Sequence, residues 1–237
     1  MIRIAIARTV LPTVILAFNF VPCYAPPTGA HAGPFTQQTP PQHDSQHRFK
    51  DAEKWAERFE NPERDQWQKP EEVIDILSFQ GDETVVDIGS GTGYFSVRFA
   101  KVLPRGKVYG ADIEPDMVRY LNERAKKEDL PNLSSRLVDP DDPGISEPVD
   151  VVFLCNTYHH IQDRVDYFGR LREDFRPGGR LVIVDFVKGD LPVGPPDHMK
   201  LSPEAVISEL SQAGYTLTQS SDVLPYQYIL IFVLPAE

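Results

Sequence analysis

The chain has 237 residues, of which 41% are hydrophobic and 25% are charged, a balance typical of one globular domain with a sizeable core. Its formal net charge of −11 disfavours nucleic acid as a partner, because phosphate contacts need clustered Lys and Arg. Its two cysteines, Cys23 and Cys155, are too few for a disulfide framework or a zinc ligand set, so we expect no metal site.

The first 32 residues differ in composition from the rest of the chain. Two arginines come early, residues 10–21 are largely apolar, and small residues follow, as in a secretory signal. About a dozen apolar residues are too few to span a bilayer unaided. Cleavage after Ala32 fits the small-x-small rule, whereas lipidation of Cys23 would give a membrane tether. We therefore expect a signal peptide or membrane anchor over residues 1–32 and an exported or membrane-associated protein, periplasmic if bacterial, with a cytoplasmic protein as the alternative.

Residues 33–47 contain few apolar side chains, so they predict a disordered linker before a domain at residues 48–237. Apolar residues then recur at a helical period up to Phe59, and Asn61-Pro62 ends that helix. A second helix is expected to begin at Pro70, with a connecting segment at residues 65–69.

An apolar run at Val85-Val86 leads into Asp87-Ile88-Gly89-Ser90-Gly91-Thr92-Gly93, which predicts a strand, a glycine turn and a helix. Three alternate glycines permit positive φ and let the backbone approach a ligand at the helix N-terminus. The dinucleotide fingerprint would need a glycine at position 94, which is Tyr94. Asp87 at the strand end would repel a pyrophosphate, so the pattern favours a cationic ligand.

Strands and helices alternate through the middle of the chain, which predicts a doubly wound α/β sheet. Further strands are expected at residues 106–112, 134–138, 149–155 and 180–186, with helices at 115–126 and 164–175. The tail differs, because a helix at residues 202–213 is followed by strands at 215–219 and 227–233 with only a loop between them. Those two strands suit an antiparallel hairpin.

The D-x-G-x-G-x-G pattern, an acid about 20 residues further on at Asp112, and Arg176-Pro177-Gly178-Gly179-Arg180-Leu181 closely resemble class I S-adenosylmethionine-dependent methyltransferases. The likeness is to the small-molecule type of the methyltransferase-domain family and covers roughly residues 48–234. It implies a mostly parallel seven-stranded sheet with an antiparallel C-terminal hairpin, the Rossmann-like methyltransferase fold. It also implies S-adenosylmethionine as cofactor and in-line methyl transfer to a small-molecule acceptor.

The resemblance further implies roles for individual residues. Asp87 would lie near the cofactor's amino group, and Asp112 would accept both ribose hydroxyls. The full set of expected cofactor contacts is Asp87, Gly89, Ser90, Gly91, Gly93, Asp112, Ile113 and Asn156, together with an acid that meets the adenine edge. Asp139 aligns best with that acid, but Asp141 and Asp142 lie so close to it that the choice stays open.

The sequence says less about the residues that would contact the methyl acceptor. His159 and His160 follow the fourth strand, and either could be a general base, because an imidazole titrates near neutral pH. Capping the following helix or holding the substrate pocket is the alternative role. Trp67 and Gln68 are candidate lid residues, and Tyr158 is a candidate substrate residue. Trp67 and Tyr158 could equally pack as core aromatic residues. Two other functions stay open at this point: an NAD-dependent oxidoreductase and a non-catalytic module that binds S-adenosylmethionine.

Overall fold

The computed structural model describes residues 50–235, so the predicted leader and linker lie outside the described residues. None of the helices in the described range is long and apolar enough to cross a membrane.

Seven strands form one sheet, in which the first five along the chain are parallel and the seventh runs antiparallel to both of its neighbours, the fifth and the sixth. The strands are β1 Thr84–Ile88, β2 Lys107–Asp112, β3 Leu133–Leu137, β4 Val149–Cys155, β5 Phe175–Phe186, β6 Thr216–Ser221 and β7 Gln227–Val233. Their order across the sheet is β3-β2-β1-β4-β5-β7-β6. This topology confirms the predicted doubly wound fold with a C-terminal hairpin.

Helices lie on both faces of the sheet. They are α1 Ala52–Phe59, α2 Glu63–Gln68, α3 Pro70–Leu77, α4 Tyr94–Val102, α5 Pro115–Lys127, α6 Arg164–Leu171 and α7 Pro203–Gln212. Two differences from the sequence prediction stand out. Residues 63–68 form a short helix rather than a connection, and β5 begins at Phe175, where a helix was expected to end.

Each face of the sheet has its own hydrophobic core. On one face, Val151 and Phe153 of β4 pack with side chains of α3, α4 and α5. On the other face, Val152 and Leu154 pack with side chains of α6 and α7. All four β4 residues are fully buried, as expected for a central strand of a parallel sheet covered on both sides.

The carboxyl ends of the parallel strands meet at one edge of the sheet. Ile88 of β1 pairs with Ala111 of β2 on one side and with Leu154 of β4 on the other. The residues that follow these three strands therefore gather at the position where open α/β sheets bind ligands. We call this edge the carboxyl edge.

Candidate active site

The glycine loop between β1 and α4 depends on backbone conformations that favour glycine. Gly89, Gly91 and Gly93 have φ values of 72°, 54° and 90°. A Cβ added to Gly93 would lie 2.2 Å from Leu121 Cδ1 of α5, so no side chain fits there. A Cβ on Gly91 would point toward α1, with the Phe59 ring as its nearest neighbour at 3.7 Å. The loop thus turns a bare backbone surface toward the N-terminal helices.

Asp112 ends β2 and fixes the loop in place. Its Oδ2 accepts a hydrogen bond from the Gly91 N–H at 2.8 Å, and its Oδ1 accepts one from the Glu114 N–H at 3.0 Å. Burial raises the pKa of Asp112, while the backbone hydrogen bonds act in the opposite direction. Because a carboxylate has about four acceptor positions, each oxygen keeps a lone pair for a hydroxyl donor.

Two exposed apolar side chains lie beside Asp112 at the carboxyl edge. Ile113 follows β2 and is 53% exposed, and Leu137 at the end of β3 is 56% exposed. Both stand out in a protein whose large apolar side chains are mostly buried. Two exposed apolar side chains next to a carboxylate suit an aromatic ring attached to a sugar.

The three acids considered for the adenine edge are all exposed and follow β3. The Asp142 carboxylate accepts a hydrogen bond from the Gly144 N–H within its own turn, and the Asp141 carbonyl accepts one from Arg170. Asp139 is the acid nearest to the end of β3 along the chain. The structure brings all three to this region and leaves the choice among them a prediction.

Asp87 lies beneath the glycine loop and is 3% exposed. Its Oδ2 accepts a hydrogen bond from the Ser96 hydroxyl of α4. Burial raises the pKa of Asp87 to about 7, and the nearby negative charge of Asp112 acts in the same direction. Ser90 in the loop carries a buried hydroxyl without a hydrogen-bond partner among the described residues. An ammonium group placed beside Asp87 would stabilise its charged form.

A chain of side-chain amides connects the end of β4 to the N-terminal helices. Asn156 has a left-handed backbone with φ of 59°, and its Oδ1 accepts a hydrogen bond from Gln227 Nε2. The Gln227 Oε1 in turn accepts one from Gln68 Nε2, and Gln68 is fully buried. Gln68 therefore holds α2 against the carboxyl edge.

His159 is paired with a buried carboxylate at the end of β5. Its Nδ1 lies 2.9 Å from both carboxylate oxygens of Asp185, and the side chains of His159 and Asp185 are 3% and 1% exposed. With an ionised Asp185, the Nδ1 atom carries the proton and Nε2 keeps the lone pair. His160 is exposed, and the centroid of its ring lies 4.2 Å from that of His159.

Of the two alternatives for Tyr158, a substrate residue or a core residue, the structure shows the core position and not the substrate position. Its side chain is fully buried, stacks on Phe168 of α6 and donates a hydrogen bond to Glu209 of α7. Trp67 lies near Phe186 and Tyr226, with ring centroids 5.8 and 6.4 Å away. Trp67 and Gln68 therefore lie in the segment that covers the carboxyl edge. Tyr158 instead packs in the core on the face of the sheet that α6 and α7 cover.

Three polar residues of this region were missed by sequence reasoning: Arg64, Asp185 and Gln227. Asp185 interrupts the apolar run of residues 181–186 close to the carboxyl end of β5, a signal that could have identified it. Arg64 belongs to a helix that was not predicted. Gln227 opens β7, and its role depends on contacts with residues far away in the sequence.

The chemistry of these groups fits S-adenosylmethionine. A buried acid at the end of β1 suits an ammonium, an acid at the end of β2 suits a ribose diol, and the apolar pair beside it suits adenine. Gly91 is half-buried and has no side chain that would stand between the loop and a ligand. Within residues 50–235, no group of three or more His, Cys, Asp or Glu side chains could hold a metal ion.

Comparison with known proteins agrees with this fit. Residues 79–226 match the family model described as methyltransferase domain. The chain is 32% identical over 127 residues to an arsenite methyltransferase of Halobacterium salinarum, covering 52% of this chain and 32% of that protein. It is 33% identical over 134 residues to erythromycin 3''-O-methyltransferase of Saccharopolyspora erythraea, covering 53% and 42%.

Among solved structures, a SAM-dependent methyltransferase from Aquifex aeolicus superposes with a TM-score of 0.72 and 26% identity. That superposition covers 78% of this chain and 99% of the other. By contrast, the chain spans about a third of the length of the arsenite methyltransferase and less than half of the length of the erythromycin methyltransferase.

Proposed function

We propose that this chain, which belongs to the methyltransferase domain family and has the class I fold, transfers a methyl group from S-adenosylmethionine to a small-molecule acceptor. The observation that carries the proposal is the joint geometry of the carboxyl edge. Three left-handed glycines lie between two buried acids, and one of those acids is hydrogen-bonded to the loop itself.

When bound, S-adenosylmethionine supplies an electrophilic methyl carbon on a positively charged sulfur. The residues that would hold it are Asp87 for the ammonium, Asp112 for the ribose hydroxyls, Ile113 beside the adenine, and the backbone of the glycine loop. Asn156 follows β4, whose end adjoins the end of β1, and would contact the methionine part. An acid among Asp139, Asp141 and Asp142 would meet the adenine edge.

The main task of the protein in this reaction is alignment. Holding two reactants in line can contribute roughly 7 to 11 kcal/mol toward lowering a barrier. The helices α1 and α2 lie against this edge and would exclude water from the bound reactants. This role explains why the clearest sequence pattern in the site belongs to the residues that would hold the cofactor.

His159 would act as general base where the acceptor presents an O–H that must lose its proton. Asp185 keeps the Nδ1 proton in place, so Nε2 is the atom that receives the proton from the acceptor. The pair stands at the ends of β4 and β5, next to the end of β1 in the sheet. His160, whose ring contacts His159, is the second candidate for this role.

We further propose an acceptor that carries an apolar or aromatic ring with a hydroxyl group. The supporting features are Trp67, Phe186 and Tyr226, which place three aromatic rings near one another at the carboxyl edge. The relative that modifies an oxygen of erythromycin supports oxygen as the nucleophile. The arsenite methyltransferase is a weaker guide to the acceptor, because the two cysteines here are too few for thiol-dependent arsenic chemistry.

The test is a methyl-transfer assay with S-adenosylmethionine labelled in its methyl group and a panel of phenols, hydroxylated heterocycles, thiols and amines. We expect label transfer to one class of hydroxyl compounds. Cofactor binding without transfer to any acceptor in the panel would favour the non-catalytic module instead. The NAD-dependent alternative is disfavoured by family membership and by Tyr94, whose side chain occupies the first position of α4.

For the location of the protein, we propose that the leader of residues 1–32 directs export or attaches the domain to a membrane, with a cytoplasmic protein as the alternative. Its composition is the sole support for this proposal. Because S-adenosylmethionine is made in the cytosol, a tether that keeps the domain on the cytosolic side would reconcile leader and cofactor. Fractionation of cells that express the full chain, and a Cys23→Ser variant, would distinguish a lipid tether from cleavage after Ala32.

A further inference from the structure

His159 stands on a short 3₁₀ turn, Tyr158–His160, that follows the end of β4. Two backbone hydrogen bonds of 2.9 and 3.2 Å close the turn, and bonds of this type have poorer geometry than those of an α-helix. The hydrogen bond to Asp185 fixes which ring nitrogen of His159 carries the proton. The position of Nε2, however, also depends on where the turn holds the backbone.

The side chain of Tyr158 anchors the start of the turn. Its ring is fully buried and stacks on Phe168 of α6, with the ring centroids 5.2 Å apart. Its hydroxyl donates a hydrogen bond to Glu209 Oε2 of α7 at 2.8 Å. Burial raises the pKa of Tyr158, and the hydrogen bond to Glu209 acts in the same direction, so the hydroxyl stays a donor. The start of the turn is thus tied to both α6 and α7.

Arg164 of α6 connects the same carboxylate to the other end of the turn. Its Nε and Nη2 donate to Glu209 Oε2 and Oε1 at 2.7 and 2.9 Å, a pairing that fixes direction as well as charge. Its Nη1 donates to the carbonyl oxygen of Ile161, directly after the turn, at 2.9 Å. The hydrogen bond from Arg164 lowers the pKa of Glu209, which keeps this carboxyl ionised. One carboxylate therefore links both ends of the turn.

A second set of a tyrosine, a glutamate and a cation lies elsewhere in the protein. Tyr109 of β2 donates a hydrogen bond to Glu147 Oε1, and Lys107 Nζ donates to both oxygens of that carboxylate at 2.8 Å. Lys107 opens β2 and Glu147 precedes β4, so this set belongs to the amino ends of the strands, opposite to the carboxyl edge. It provides a reference for the set behind His159.

We propose that Tyr158, Glu209 and Arg164 are positioning residues for His159, which hold the turn so that Nε2 of the imidazole stays in place for the acceptor. The proposal rests on the proposed function, because it takes His159 as the general base. It goes further by making proton transfer depend on an ion pair between α6 and α7. It also gives Tyr158, which packs in the core, an effect on the reaction through its neighbour.

The first test measures the His159 ring directly, by nitrogen-15 NMR of the full chain labelled at histidine. The signals of His159 are identified by their loss in His159→Ala. We expect one tautomer in the wild type, with the proton on Nδ1, because Asp185 accepts it. Tyr158→Phe and Glu209→Gln should each give a mixture of the two tautomers, because a turn that moves weakens the hydrogen bond to Asp185. Tyr109→Phe is the matched control, since it removes the same hydroxyl from the reference set, and its spectrum should match that of the wild type.

The second test is a double-mutant cycle in the methyl-transfer assay, with the hydroxyl compound of the panel that takes up most label. Glu209→Gln should lower kcat by about tenfold, as for a small displacement of a reacting group, and leave cofactor affinity within about threefold. In the His159→Ala background, the same substitution should change kcat by about twofold or less, because the group that it positions is gone. Tyr158→Phe keeps the ring in the core and should give a smaller loss of the same kind, so it replaces Glu209→Gln if that variant fails to fold.

His159 signals that are the same in the wild type, Tyr158→Phe and Glu209→Gln would overturn the proposal. An equal loss of turnover in the presence and in the absence of His159 would overturn it as well. Unchanged turnover in His159→Ala would remove the base, and with it the positioning of a base. Absence of methyl transfer by the wild type to any acceptor would instead contradict the proposed function, and the NMR comparison would still decide whether these residues hold the His159 ring.

Discussion

The two halves of the carboxyl edge are built in different ways. The cofactor half, from β1 to the end of β2, is held by the backbone: three glycines with positive φ and two N–H groups on Asp112. The acceptor half, which comprises α1, α2 and the ends of β4 and β5, is held by side chains from distant parts of the chain, as in the contacts of Gln68 with Gln227 and of His159 with Asp185. Because backbone requirements leave a local trace in the sequence and long-range side-chain contacts do not, the first half was far easier to predict.

The largest expected effect comes from breaking the backbone half. Gly91→Val should abolish measurable cofactor binding, because a β-branched side chain is strained at a φ of 54° and would fill the space between the loop and α1. Gly169→Ala is the control, since its added Cβ would meet nothing within 4 Å. Calorimetry with S-adenosylhomocysteine measures both. Normal binding by Gly91→Val would show that the loop is only a turn.

The next largest effect is expected at His159, where a substitution should change turnover without changing cofactor affinity. His159→Ala should lower turnover by ~10² or more and leave cofactor affinity within about threefold, because the base acts on the acceptor and not on the cofactor. Asp185→Asn should lower turnover in the same direction, since it loses the carboxylate that holds Nδ1. Turnover that is insensitive to both variants would make the pair structural, and the reaction would then depend on alignment alone.

A smaller effect is expected at Asp112. Asp112→Ala should weaken cofactor binding by about 1.5 to 3 kcal/mol, the range for hydrogen bonds to a charged group. Its ribose contacts are lost, and so is the hydrogen bond that holds Gly91. Circular dichroism of the variant should match that of the wild type. Unchanged affinity in titration calorimetry would remove Asp112 from the cofactor site.

The smallest expected effect concerns stability and pH. The pKa of Asp87 is raised to about 7 by burial, so the folded state binds a proton there that the unfolded state releases near pH 4. The stability that this bound proton contributes is fully present below about pH 4, where the unfolded state also binds the proton. It is lost as the pH rises through about 7, the pKa of Asp87 in the folded state. Between pH 5 and pH 8 the loss should be roughly 1 to 3 kcal/mol, measured by urea unfolding.

Two comparisons sharpen this prediction. Asp87→Asn should flatten the dependence of the unfolding free energy on pH, because it removes the titrating group. Bound S-adenosylhomocysteine should flatten it as well, because an ammonium beside Asp87 lowers its pKa. A pH profile that is the same in the wild type and in Asp87→Asn would mean that Asp87 does not titrate in this range.

The sequence predicted the succession of strands and most helices along the chain, but not every residue at which they begin and end. Strands and the glycine loop were found because buried apolar runs and glycine spacing are local signals. The helix α2 was missed, since Glu63–Gln68 is short and polar, and it is stabilised by Gln68 and by the ion pair of Asp65 with Arg98. The early start of β5 was missed because residues 177–179 are Pro-Gly-Gly, which favour a turn, whereas Phe175 pairs with Val149 in the sheet.

The same distinction explains why the sequence left the role of Tyr158 open. Tyr158 stands beside His159 in the sequence, and position alone suggested a shared role. The short 3₁₀ turn at Tyr158–His160 points the tyrosine into the core and turns the histidine toward Asp185. The spacing of apolar residues in the sequence cannot predict the conformation of such a short turn. A shift of one residue in the turn would change which side of the sheet each side chain faces.

The most direct measurement is titration calorimetry of the wild-type chain with S-adenosylhomocysteine and, separately, with NAD. The glycine loop and its two buried acids should bind one molecule of S-adenosylhomocysteine per chain and should not bind NAD measurably, since Asp87 and Tyr94 disfavour a pyrophosphate. Binding of NAD in preference to S-adenosylhomocysteine would contradict the assignment of this edge to a methyl donor.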